Sequence, residues 1–264
     1  MKIGPLRVGK DAASGEPGGV DGRLIYVIGD VHGCYELLKD LLARVAADIE
    51  GRAGGRRPEL IFLGDYVDRG PHSSKVLDAL VWLQRRGDLE VRLLKGNHEQ
   101  ALLEFIDAPD QGGPWIGYGG AQTLESYGIA APSPGADPAA YGLARDDLLD
   151  KMPASHLRLL QGLELMVLAG DYAFVHAGVR PGASLDRQAE DDLLWIRQGF
   201  LDAQGPFEKI IVHGHTWTSD QPVLLPQRIG VDTGAYATGV LTALRLEDHD
   251  FGILQARTAL PPPT

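Results

Sequence analysis

Cysteine is almost absent from this 264-residue chain: Cys34 stands alone, so no disulfide can close within it. One free thiol points to a reducing compartment, and the expectation is a cytoplasmic protein. Long apolar runs are also missing. No stretch approaches the roughly 20 uncharged apolar residues of a membrane helix. The most apolar region, 163–175, is broken by Glu164, Gly170 and Asp171. The first 23 residues have no apolar core ahead of a cleavage site and do not read as a secretory signal. Positive charge is scarce. Lys and Arg number 25 against 36 Asp and Glu, a net charge of −11. That balance argues against a nucleic-acid partner, because surfaces that meet phosphate backbones are usually basic.

What is present fits a globular domain long enough to bury a core. Residues 1–22 are glycine-rich and read as a flexible arm; 259–264 ends in prolines and reads as a tail. Between them lies one domain, 23–258. Leu24–Ile28, 60–63 and 91–94 are short apolar runs, and apolar positions recur at helical spacing over 37–45, 76–83 and 98–106. Strand, helix, strand, helix, strand implies a parallel sheet with right-handed crossovers. Region 107–160 is interrupted by Pro and Gly and reads as an inserted helical subregion shaping a substrate surface. Strands are expected again at 163–168, 172–176, 209–213, 227–231, 238–246 and 251–256. Parallel units first and antiparallel strands later imply an α/β fold, two sheets packed together with helices outside.

The chemistry-bearing residues fall at the ends of these strands. Gly-Asp-Val-His-Gly (29–33), Gly-Asp-Tyr-Val-Asp-Arg-Gly (64–70) and Gly-Asn-His-Glu (96–99) each follow one of the first three. The C-terminal edge of such a sheet is where ligands bind. His176 and His215 end two later strands. Carboxylates, imidazoles and one amide oxygen, without thiolate, suit Mn²⁺, Fe or Zn²⁺. Six such groups are too many for one ion with an open position. They fit two ions sharing a carboxylate, a pair that makes hydroxide from water near neutral pH and neutralises a phosphoryl group.

Together with His-Ala-Gly (176–178), Gly-His-Thr (214–216), Leu194-Trp195-Ile196-Arg197 and Asp232-Thr233-Gly234-Ala235, these blocks resemble the phosphoprotein phosphatase superfamily of metallophosphoesterases, in particular the bacterial and phage lambda-type serine/threonine protein phosphatases. The resemblance spans 24 to about 240. It implies a β-sandwich flanked by helices and two divalent metals. Asp30 and His32 would hold the first metal, Asn97, His176 and His215 the second, and Asp65 would bridge them. It makes His98 the general acid, with Asp68 orienting it. Arg69 and Arg197 would grip the phosphate, and Tyr236 would line the pocket. The implied substrate is a phosphoprotein, attacked directly by water activated between the metals.

Other readings compete. Symmetrical diadenosine tetraphosphate hydrolases share the scaffold, but in them the residue before the motif arginine is not Asp and Asn-His is followed by Asp. Asp68 and Glu99 favour the protein phosphatase branch. A binding module that kept the fold should have lost a ligand or the acid, and none is lost. A nucleic-acid phosphodiesterase sits badly with the acidic charge. His213 alternates with His215 along one strand and is expected in the core or behind the ligands. His72, His156 and His249 are expected at the surface. Cys34 is expected to be a small packed residue rather than a nucleophile.

Overall fold

The computed structural model describes residues 19–133 and 135–258. β1 (Leu24–Ile28) is buried along its whole length. Alternation sends Leu24, Tyr26 and Ile28 into one apolar cluster and Ile25 and Val27 into another. A strand apolar on both faces belongs inside, covered on each side. α1 (Tyr35–Arg52), β2 (Glu59–Phe62), α2 (Ser73–Gln84), β3 (Glu90–Leu93) and α3 (Asn97–Asp107) complete the first half. The three strands pair in parallel, with Tyr26 opposite Leu60 and Leu60 opposite Val91.

The subregion that follows carries α4 (Gly113–Trp115), α5 (Ala121–Ser126), α6 (Pro138–Lys151) and α7 (Ala154–Gln161), separated by 3₁₀ and π turns. Its side chains Trp115, Leu124, Tyr141 and Leu148 join the cluster that covers the outer face of the first sheet. Next come β4 (Met166–Ala169), β5 (Tyr172–Val175), α8 (Glu190–Trp195), α9 (Gln198–Leu201), β6 (Ile210–His213), β7 (Val223–Leu224), β8 (Arg228–Gly230), α10 (Ala235–Thr238), β9 (Val240–Glu247) and β10 (Asp250–Arg257).

Two five-stranded sheets result, ordered β10-β9-β1-β2-β3 and β4-β5-β6-β8-β7. Their inner faces meet in one cluster that includes Val27, Ile61, Phe174, Val212 and Leu244. The outer face of the second sheet packs Val175 and Ile211 against Leu193 and Phe200. This is the expected helix-flanked sandwich. The expectation that the later strands are antiparallel is corrected in part, since β5, β6 and β8 run parallel. β7, two residues long, was too short to carry a period.

Three further expectations meet the structure. Val20 is buried in the intersheet cluster and Gly19 N–H donates to Asp171 at 2.9 Å, so residues 19–20 of the expected arm pack on the domain. Residues 1–18 and the tail 259–264 lie outside the described residues. His156 is not at the surface. It is 1% exposed, accepts a bond from the Tyr127 hydroxyl at 2.8 Å and donates to Asp78 at 3.0 Å, tying α7 to the residue that ends α5 and to α2. Among the described residues no helix is long and apolar enough to cross a membrane.

Candidate active site

Asp30, His32, Asp65, Asp68, Asn97, His98, His176 and His215 all leave the C-terminal ends of strands in the two sheets, and every one is buried. Tight strand-to-loop turns bring the backbones together. A Cβ at Gly96 would run into Asp65, and one at Gly214 would run into Asp30, so neither position can carry a side chain without displacing a site carboxylate.

Asp65 is the centre. It shares one tight group of candidate ligands with His32 and His98, and a second with His176 and His215. Its Oδ2 lies 3.4 Å from His32 Nε2 and its Oδ1 3.5 Å from His176 Nε2. Burial alone would raise its carboxyl. His176, His98, His32 and His215 outweigh that and hold it well below the usual range. Asp30 stands in neither tight group. Its Oδ2 accepts the His215 N–H at 2.9 Å, and its Oδ1 is buried without a partner. Burial, then Asp232 and Asp65, raises its carboxyl well above the usual range.

The imidazole tautomers are fixed from behind. His32 Nδ1–H donates to Val67 O at 2.9 Å and His176 Nδ1–H to Leu63 O at 2.8 Å. Burial lowers both, His32 to about 3, and burial and His176 lower His215 to about 2. Neutral rings held this way turn bare Nε2 lone pairs inward. His176 Nε2 then faces Asn97 Oδ1 at 2.9 Å as well as Asp65, so three acceptors converge with no proton between them. Acceptors crowded in this way, beside an orphaned Asp30 oxygen, fit divalent cations.

His98 is built differently. Its Nδ1–H donates to Asp68 Oδ2 at 2.7 Å. Asp68 is fully buried and also accepts from Trp115 Nε1 at 2.9 Å and Thr123 Oγ1 at 2.6 Å. Burial alone would lower His98, but Asp65 and Asp68 together raise it above the ordinary histidine value. Arg69 Nη1 donates to His32 Nε2 and Arg197 Nε to His215 Nε2, each at 3.1 Å. Tyr236 lies edge-on to His32 and carries the Arg69 guanidinium 4.7 Å from its ring centre. Arg197 and Tyr236 are thus brought to the same place as the rest. His213 points away, donating to Gly214 O and accepting from Arg228. Burial pushes the Cys34 thiol up to about 12, which leaves it a poor nucleophile.

Residues 23–239 match the family model described as calcineurin-like phosphoesterase. The chain belongs to this family. It is 25% identical to the asymmetrical bis(5'-nucleosyl)-tetraphosphatase PrpE of Oceanobacillus iheyensis, over 88% of this chain and 92% of that protein. It is 28% identical to serine/threonine-protein phosphatase 1 of Salmonella typhimurium, over 85% and 93% respectively. The cold-active protein-tyrosine phosphatase of a psychrophilic Shewanella shares the fold, with a TM-score of 0.53 and 18% identity, covering 88% of this chain and 80% of that one.

Sequence reasoning gave Glu99 no structural role. Its carboxylate accepts the backbone N–H groups of Asp65, Tyr66, Val67 and Gly96 at 2.7 to 3.3 Å, clamping two motif loops together. An acid three residues after Gly96 at a helix start was the available signal. Asp232 was also left without a role. Burial pushes it up to about 7, and it stands beside Asp30.

Proposed function

We propose that this calcineurin-like phosphoesterase is a phosphomonoester hydrolase of the cytoplasm that acts on phosphoserine and phosphothreonine in proteins. Asp30 and His32 would hold one divalent ion, Asn97, His176 and His215 a second, and Asp65 both; Mn²⁺ is the first choice, with Fe or Zn²⁺ also matching the donors. When bound, such ions would acidify water and neutralise charge on the phosphoryl group. Arg69 and Arg197 hold the non-bridging oxygens, Arg69 against the Tyr236 face. His98 gives its Nε2 proton to the leaving oxygen while Asp68 keeps hold of Nδ1–H.

The observation that carries this reading is the His98–Asp68 pair at 2.7 Å, with Asp68 anchored by Trp115 at the same oxygen and by Thr123 at the other. A serine or threonine alkoxide leaves badly, and a positioned acid is worth roughly 10²–10⁴-fold in such a step. A second reading, hydrolysis of bis(5'-nucleosyl) tetraphosphates, is favoured by the name of the Oceanobacillus relative, which matches nearly end to end. There the leaving group is a nucleotide phosphate, a weak base that gains little from an acid. The two are tested by assaying a phosphoserine peptide and diadenosine tetraphosphate side by side with Mn²⁺. The proposal expects the higher kcat/KM on the peptide; the reverse order would replace it with the second reading.

A further inference from the structure

A cleft of about 780 Å³ opens from the catalytic pocket along α3. Its inner end holds His98, Arg69 and Arg197. Two of the six large apolar side chains exposed among the described residues, Tyr118 at 73% and Trp195 at 48%, line it. Each is coupled to a phosphate-site arginine. Tyr118 precedes Gly119, whose carbonyl accepts the Arg69 N–H at 3.2 Å, and Trp195 lies two residues before Arg197. The Trp195 indole N–H is already donated to Gln100 at 2.9 Å, so what this ring has left to offer is its π face.

The polar lining further out is acidic. Glu104 and Asp107 are both exposed, both face the cleft, and neither makes an ion pair or a side-chain hydrogen bond within the described residues. Among the described residues Arg69 and Arg197 are the only arginines or lysines in the lining, and both are turned to the histidines of the pocket. Aromatic faces beside unpaired carboxylates complement a cation twice, by ring quadrupole and by charge. The same carboxylates, in a chain of net charge −11, oppose a substrate that brings further phosphates.

We infer that this cleft receives an arginine or lysine side chain of the phosphopeptide, so that the enzyme selects phosphorylation sites with a basic neighbour. Along α3, Glu104 and Asp107 lie about 9 and 13 Å beyond His98 at 1.5 Å per residue. An extended peptide covers that distance in about three or four residues. The inference rests on the protein phosphatase reading.

The test uses the full chain with Mn²⁺ and a set of phosphoserine peptides of one backbone, carrying Arg, Ala or Glu at each position flanking the phosphoserine. The expected result is an optimum for Arg about three or four residues away, roughly 3- to 30-fold over Ala, the size of a half-exposed charge pair plus a cation–π contact. The double variant E104Q/D107N should flatten that preference, and E104R should turn it toward Glu peptides. The single variants E104Q and D107N serve if the double variant unfolds, with thermal midpoints recorded throughout. Equal rates across the scan, or an Arg preference that survives E104Q/D107N, overturn the inference and leave the phosphatase reading standing. If no peptide is hydrolysed while diadenosine tetraphosphate is, both fall.

Discussion

Seven non-glycine residues among those described have a positive φ, and five of them are His32, Asp65, Asp68, Arg69 and His215. A side chain in the left-handed region costs on the order of 1–3 kcal/mol, which persists only where the surroundings over-determine it. Here the surroundings are explicit: Glu99 binds three successive N–H groups from Asp65 onward, and Ser73 and Thr123 take the N–H of Asp68. Cost concentrated on site residues favours reading them as a unit made for chemistry. The sharpest residue-level prediction concerns His98. His98→Asn should lower kcat on a phosphoserine peptide by roughly 10²–10⁴-fold. It should lower it far less on para-nitrophenyl phosphate, whose leaving group needs no proton. Equal losses on both substrates, or loss of bound metal, would remove His98 from the acid role. The motif residues were legible because each follows an apolar run directly. The contacts that Glu99, Thr123 and Trp115 make with the site were not, because their partners are set by tertiary contact. His156 was read as a surface residue for the same reason.

Between elements, α1 is fastened to the first sheet by Asp48. It accepts from the Tyr26 hydroxyl at 2.7 Å and from Arg52 at 3.1 Å, and Arg245 of β9 lies 3.6 Å away. Burial alone would raise the Asp48 carboxyl; the Tyr26 hydroxyl, then Arg52 and Arg245, outweigh it and hold it below the usual range. A carboxyl depressed on folding adds stability above its unfolded value and loses it as pH falls through the folded one. Asp48→Asn should therefore cost about 1 kcal/mol near neutrality. The gap from wild type should close below about pH 4 in urea titrations. A gap independent of pH would mean that packing, not charge, fastens the helix. At this scale the sequence was informative wherever period and length agreed: β1 to β3 and the helices between them fall where the apolar spacing puts them. β7 and the parallel direction of β5, β6 and β8 depend on which neighbour a strand finds, which no local pattern carries.

Taken whole, the molecule closes its two sheets around acid. Asp30, Asp65, Asp68, Glu99 and Asp232 are all buried in one neighbourhood. Buried charges of one sign destabilise a fold unless counter-charge meets them. Chelation should accordingly lower the thermal midpoint, and Mn²⁺ at 100 times its Kd should add about 2.7 kcal/mol of stability. At about 2–4 °C per kcal/mol for a chain of this size, calorimetry should register a rise of roughly 5–10 °C. A midpoint indifferent to both chelator and Mn²⁺ would dismiss the metal centre altogether.

The bond from the His215 N–H to Asp30 joins residues 185 positions apart in the chain. During synthesis, the amino-terminal half emerges with its acidic cradle lacking a wall. That wall arrives only once residue 215 has left the ribosome, so a product terminated before it lacks one of the candidate ligands and the donor that fixes Asp30.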